Sequence, residues 1–200
     1  MSAVSIRDEV TRLKRERTVE AAAQLFYDQG YEQTTLDSVA ERLGVTKPFI
    51  YTHFRSKADL LADICTRGIG DALRVIDDAT TLTAPTSEKL RYLARNFVVS
   101  VLNNQRYIAI LTREEKNLAP DDFDRLSDLR RQFDRKLVAL LEFGRSTGEF
   151  NLDDPAVAAL AIGGMVSWAY VWYRPHGRLS RDALADKIAD LILAMAGVSK

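Results

Sequence analysis

Four side chains within eight residues, Thr46, Lys47, Tyr51 and His53, are of the kinds that reach nucleic-acid base edges and phosphates. They suit a short, exposed helix. Arg55 and Lys57 follow directly. Thr35 stands ahead of the preceding apolar run, where unpaired backbone N–H groups at a helix start could meet a phosphate. The chemistry would be recognition rather than bond breaking. The same residues also fit three small packed helices with solvated charges. Charge does not separate the two readings, because residues 1–60 hold nine Lys and Arg against nine Asp and Glu.

Gly144-Arg145-Ser146-Thr147-Gly148 has the spacing of a nucleophile turn, with Asp153 and His176 following in hydrolase order. That chemistry needs a strand before the serine and a helix after it. Here a helical pattern precedes and a Gly-Glu-Phe turn follows, so the glycines read as a helix stop. A hydrolase using Ser146 is therefore only a remote alternative, and no enzyme is expected. The single cysteine, Cys65, excludes an internal disulfide and reads as a small buried side chain. With only His53 and His176 beside it, neither a structural metal site nor a cofactor is expected.

Over the whole chain of 200 residues, basic and acidic side chains balance at 28 each, so any charged partner must be met by a local patch. Residues 156–173 carry no charge over 18 positions, the lower limit of a membrane span. A helix apolar all round is also expected when one side lines a pocket and the other meets a subunit. The amphipathic patterns elsewhere favour that second reading, and no membrane partner is expected. The first residues lack the charged-then-apolar order of a secretion signal, and the expectation is a reduced, cytoplasmic protein.

The elements that would carry these residues are helices throughout. Val19, Ala22, Ala23 and Phe26 give a buried face between about Asp8 and Gln29, stopped by Gly30. Thr35 can cap a helix over Leu36 to Leu43, with Asp37 in its first turn, where the helix dipole favours negative charge. Gly44 ends it, and Thr46 can cap a short helix from Lys47 to about Thr52 with Pro48 in its first turn. Ser56 with Asp59 resembles a capping box for a fourth helix to about Asp78, and Thr80–Thr86 reads as a linker. Leu90, Ala94, Phe97 and Val101 form one later stripe; Phe123, Leu126, Phe133, Leu137 and Leu140 form another. Asp154-Pro155 opens an uncharged helix to Tyr173, and Ser180 caps a last one. The fold class is all-α, with about nine helices.

The string from Arg17 to Ile64 resembles the N-terminal domain of the TetR family of transcriptional regulators. The likeness runs through Phe26, Gly30-Tyr31, Thr34-Thr35, Val39-Ala40, Gly44-Val45, Tyr51, His53-Phe54, Lys57 and Leu60-Leu61. It implies a three-helix helix-turn-helix domain over residues 1–60 and a helical ligand-binding and dimerisation domain over residues 61–200. It also implies a homodimer on double-stranded operator DNA, with Tyr51, His53 and Lys57 at positions that usually touch DNA. Lys47-Pro48-Phe49-Ile50 departs from the family's frequent small residue and leucine before the tyrosine, which leaves the operator sequence open. Thr35, Thr46, Lys47, Pro48, Tyr51, His53 and Lys57 are the expected DNA contacts.

Gly163-Gly164-Met165 through Trp172-Tyr173-Arg174-Pro175-His176-Gly177 resembles the C-terminal domain of the TetR subgroup that regulates fatty-acid and sterol breakdown. That likeness implies an acyl-CoA thioester as effector of a repressor. The alternative effector is a multidrug-type or other apolar ligand. Phe97, Val101, Phe123, Arg130, Phe133, Met165, Trp168 and Trp172 are the expected pocket residues. Arg130 occupies the missing step of an apolar stripe, so it either snorkels, pairs with Asp134 or Glu114, or meets a ligand anion. Leu184, Ile188, Leu191 and Met195 recur at four, three and four, and together with Ile162 they are the expected dimer seam.

Overall fold

The computed structural model describes residues 5–198. Among them the helices are α1 (Ile6–Gln29), α2 (Leu36–Leu43), α3 (Lys47–Tyr51), α4 (Lys57–Thr81) and α5 (Thr86–Asn103). Then follow α6 (Gln105–Glu114), α7 (Pro120–Ser146), α8 (Pro155–Ser167), α9 (Ala169–Trp172) and α10 (Arg181–Met195), with a 3-10 turn at Glu115–Asn117. No described residue is in a strand. The chain is all-α, and the expected nine helices are met when the four-residue α9 is taken with α8. The uncharged stretch thus breaks at Trp168 instead of running as one helix.

Two compact units emerge. One holds the chain up to Thr66 with Arg106–Phe123; the other holds Arg67–Gln105 and the chain from Asp124. This grouping differs from a single division at residue 60.

In the first unit, Val19, Ala22 and Phe26 of α1 bury against Val39 and Ala40 of α2, with Ile50 of α3 and Leu60 of α4 in the same core. Gly30 (φ 88°) stops α1, and Gly44 in the left-handed region (φ 65°, ψ 33°) turns the chain sharply between α2 and α3. Helix α6 belongs to this core as well: Ile110 is fully buried in it, with Tyr107 and Leu111 packed alongside. The sequence reading had no helix at that place. Ser56 Oγ accepts from the Asp59 N–H at 3.1 Å, as expected, but the Asp59 carboxylate accepts from the Arg55 N–H (3.0 Å), one residue beyond the Ser56 N–H that a true capping box uses.

In the second unit, α10 packs chiefly on α5. The buried face of α10 comprises Leu184, Ala185, Ile188, Ala189, Ile192 and Leu193. This corrects the expected dimer seam. Leu184 and Ile188 (4% exposed) are core residues of the protomer, as is Ile162 (1% exposed) on α8, while Met195 is half-buried. Only Leu191 lies open, just past the edge of the buried sector. The alanines at 185 and 189 widen that sector to one side, so the face turns away from the line drawn through the large side chains. Arg91–Asp190 (2.7 Å) and Arg95–Asp186 (2.8 Å) flank the α5–α10 contact as exposed ion pairs.

Helix α5 begins after Pro85, which offers no side-chain cap. Glu149, from the turn after α7, supplies one from a distance. Its carboxylate accepts from the Thr86 N–H (3.0 Å) and hydroxyl (2.6 Å) and from the Ser87 N–H (3.0 Å) and hydroxyl (3.2 Å). The Thr86 hydroxyl, followed by the two backbone N–H groups, lowers the Glu149 pKa from 4.5 to about 2. A carboxylate depressed in the folded state stabilises it fully above the unfolded value, and that contribution fades as pH falls from 4.5 through about 2. Glu149→Gln should cost about 1 kcal/mol at pH 7, the usual worth of a helix cap. Urea unfolding should show the two proteins converging as pH falls through that window; a constant gap would mean the contribution is steric.

Candidate nucleic-acid interface

Helix α3 is short because Gly44 and the Thr52–His53 turn bracket it, and Ile50 is its one fully buried side chain. Thr46, Lys47, Pro48 and Tyr51 are all exposed around it. The Thr46 side chain makes no cap bond, so its hydroxyl is available to a partner. Thr35 is committed to a capping box: its hydroxyl accepts from the Ser38 N–H, and its own N–H donates to Ser38 Oγ, both at 3.1 Å. The cap occupies those two N–H groups, and the first-turn donors remaining are Leu36 and Asp37.

His53 is half-buried with its ring edge-on to Phe49, centroids 5.4 Å apart. Burial first, then the nearby Lys14 and Arg15 charges, lower its pKa from 6.5. A neutral imidazole can offer one donor and one acceptor to a base or phosphate. Lys14 Nζ lies 5.7 Å from the Phe49 ring centroid, and the Arg15 guanidinium lies 4.4 Å from the Phe54 centroid while pairing with Asp63. Lys14 was not among the expected contacts.

Two lysines are more constrained than their sequence context suggested. Lys47 Nζ is 2.8 Å from Asp37 Oδ2 on α2, and this bond raises its pKa above 10.5. Lys57 Nζ donates to the Tyr31 carbonyl (2.9 Å) and the Glu32 carbonyl (3.4 Å) and lies 4.2 Å from the Tyr31 ring centroid. The Lys57 ammonium, expected at a DNA-contact position, fastens the start of α4 to the turn after α1. On the far side of that turn, Arg113 of α6 donates to the Tyr27 carbonyl at 3.3 Å.

The expected effector residues do not form one group. Phe97 and Phe133 are buried and in contact, with ring centroids 4.8 Å apart, and Val101 is buried one turn along α5. Met165 is half-buried. Trp168 (58% exposed) and Trp172 (46%) face outward, and Phe123 is exposed and belongs to the first unit. Trp168 joins α8 to α9 and Trp172 ends α9, both open to solvent, while Tyr170 between them is half-buried. Arg130 is half-buried and acts on Asp134, whose pKa burial raises and Arg130 lowers. A cleft of about 320 Å³ opens instead between α4 and α5, lined by Asp71, Arg74, Tyr92, Asn96 and Ser100 among others. None of the expected pocket residues lines it. Ser146 is the last residue of α7, its hydroxyl donating to the Phe143 carbonyl (2.8 Å), and Gly148 follows at φ 77°, so the segment is a helix end with no strand before it.

Residues 19–64 match the family described as bacterial regulatory proteins, tetR family, and residues 83–196 match the tetracyclin repressor-like C-terminal domain. The HTH-type transcriptional repressor KstR2 of Rhodococcus jostii is 25% identical over 182 residues, spanning 90% of this chain and 89% of its own. The structure of the regulator PfmR from Thermus thermophilus superposes with a TM-score of 0.80 at 30% identity, covering 89% of this chain and 97% of its own. That of AibR in complex with isovaleryl coenzyme A and operator DNA gives 0.75 at 27% identity, over 91% and 97%.

Proposed function

The chain belongs to the TetR family of bacterial transcriptional regulators, and on that premise we propose that it is a homodimeric repressor released from its operator by an acyl-CoA thioester. The observation that carries the DNA-binding part is the α2–α3 pair, whose outer side presents Thr46, Lys47, Pro48 and Tyr51 with His53 at its end. Thr35 opens α2 beside them, and Lys57 acts by positioning. We assign DNA binding to residues 1–60 together with the α6 support, and effector binding and dimerisation to the remainder. Action on operator DNA places the protein in the cytoplasm.

Dimerisation is best supported by α8. Val157, Leu160, Gly164 and Trp168 recur at three, four and four on one uncovered side of α8 and its cap, and Leu191 of α10 is exposed as well. A side chain at Gly164 would meet nothing within 4 Å in its own protomer. Glycine inside a helix costs roughly 1 kcal/mol relative to alanine, and the close approach of a second helix would account for it.

The effector class is supported by AibR, whose structure holds isovaleryl coenzyme A together with operator DNA. In this chain Phe97, Val101 and Phe133, buried together with no open space between them, are the apolar side chains that an acyl group would part, and Arg130 would supply a cation for phosphate. Fluorescence anisotropy of full-length protein on a selected operator, titrated with acyl-CoAs of increasing length, CoA and free acids, tests the proposal. A medium or long acyl-CoA should release the DNA at micromolar concentration and the free acid should do so poorly. Absence of release by every thioester would remove this ligand class.

A further inference from the structure

We propose that Asp37 is a specificity-determining residue: by holding the Lys47 ammonium across the helix-turn-helix, it withdraws that charge from indiscriminate attraction to phosphates and reserves it for the right base edge. The proposal rests on α2–α3 being the DNA-binding surface. Lys47 is the first residue of α3 and Asp37 lies in the first turn of α2, ten positions earlier. Their 2.8 Å contact therefore joins the two helix starts that would both face the duplex. Both side chains are substantially exposed, so the pair is a device at the recognition surface and not part of the core.

An unrestrained lysine is a mobile point charge, and every duplex offers it phosphates at the same spacing. Such a lysine tightens binding to all sequences equally. Paired with Asp37, Lys47 adds no net charge to that attraction. The ammonium has three donors, so while one stays on Asp37 the others can meet an acceptor that lies in their direction, such as the O6 and N7 of guanine. A swing to a phosphate instead breaks the pair and leaves the Asp37 carboxylate unpaired near phosphates. Only a sequence that places an acceptor within reach of the held Nζ avoids this cost, and other sequences meet a repelling carboxylate. The α2 N-terminus stabilises the carboxylate in that place.

The test uses the full-length chain. Wild type and Asp37→Asn are each taken through binding-site selection from a duplex pool randomised over roughly 30 base pairs, enough for two half-sites one turn apart. Affinities for the selected duplex and a scrambled duplex are then measured against salt. Asp37→Asn should bind scrambled DNA roughly five- to tenfold tighter near 0.1 M salt and steepen the salt slope by about one. Binding to the selected duplex should change less than twofold, so discrimination falls by nearly the whole factor. Asp37→Glu, which keeps the charge, should keep the discrimination. In a Lys47→Met background the loss of discrimination on Asp37→Asn should vanish. Equal gains on both duplexes, or an undiminished effect without Lys47, would overturn the proposal while leaving the DNA-binding reading intact. A wild-type protein that recovers no motif overturns that reading itself, and this proposal with it.

Discussion

Leu160→Glu should leave a folded monomer, whereas Ile188→Glu should leave no folded chain. Both residues are large and aliphatic on the last helices, and they differ in what they already touch. Ile188 is 4% exposed, on the face that α10 packs on α5. A carboxylate there has no partner, and burying one unpaired costs several kcal/mol, a large share of the roughly 5–15 kcal/mol that holds a domain together. Leu160 is 68% exposed in the protomer and sits inside the open stripe formed with Val157, Gly164 and Trp168. Glutamate there is harmless to one chain and is buried twice across a two-fold axis.

Two recognition helices must reach successive major grooves about 34–36 Å apart, and only a dimer presents both. Loss of the second contact removes an intramolecular binding event, worth on the order of 10²–10⁴ in operator affinity. Sedimentation, circular dichroism and operator binding read the three consequences separately. A dimer that persists in Leu160→Glu moves the interface elsewhere. A folded monomer from Ile188→Glu would restore the α10 seam as that interface.

This pair of expectations also marks where the sequence was legible. Most signals contained within a few residues held: Thr35 and Ser180 cap their helices, and Gly30 and Gly44 end theirs, whereas Thr46 makes no cap bond and Ser56–Asp59 forms only half a capping box. The three-helix core followed from them, because its apolar spacing is local. The larger departures depended on partners far along the chain. Helix α6 went unexpected although Tyr107, Ile110 and Leu111 stand on one helical face; that this face completes the core of α1, α2 and α4 is what residues near 110 do not say. Lys57 looked like a free cation because the carbonyl that holds it is 26 residues away. On α10, periodicity correctly announced one apolar face but could not say which neighbour covers it. On α8 and α9, two tryptophans in an uncharged segment suggested an enclosed wall, whereas the helix turns them outward. Hydrophobicity records that a side must be covered, and the covering element is a tertiary fact.

Arg130 carries the second large expectation. It stands one turn from Phe133 on α7, so a ligand whose acyl part met Phe97 and Phe133 would bring its charged part within reach of the guanidinium. Arg130→Met keeps the length and apolar stem of the side chain and removes only the charge. A charge-assisted hydrogen bond of this kind contributes about 1.5–3 kcal/mol, so release of the operator should require roughly ten- to a hundredfold more acyl-CoA. Operator affinity without ligand should be unchanged, because Arg130 belongs to the second unit whereas α2 and α3 belong to the first. Asp134 provides a second readout. Burial raises its pKa above 3.8 and Arg130 opposes the rise. An anion that takes Arg130 as its partner leaves Asp134 to rise further, so binding takes up a proton and strengthens as pH falls towards the carboxyl's range. In Arg130→Met that competition is gone, and the pH dependence of release should flatten along with the loss of affinity. Equal release from both proteins across pH would remove Arg130 from the site, and a weaker but equally pH-dependent response would place the phosphates on another cation.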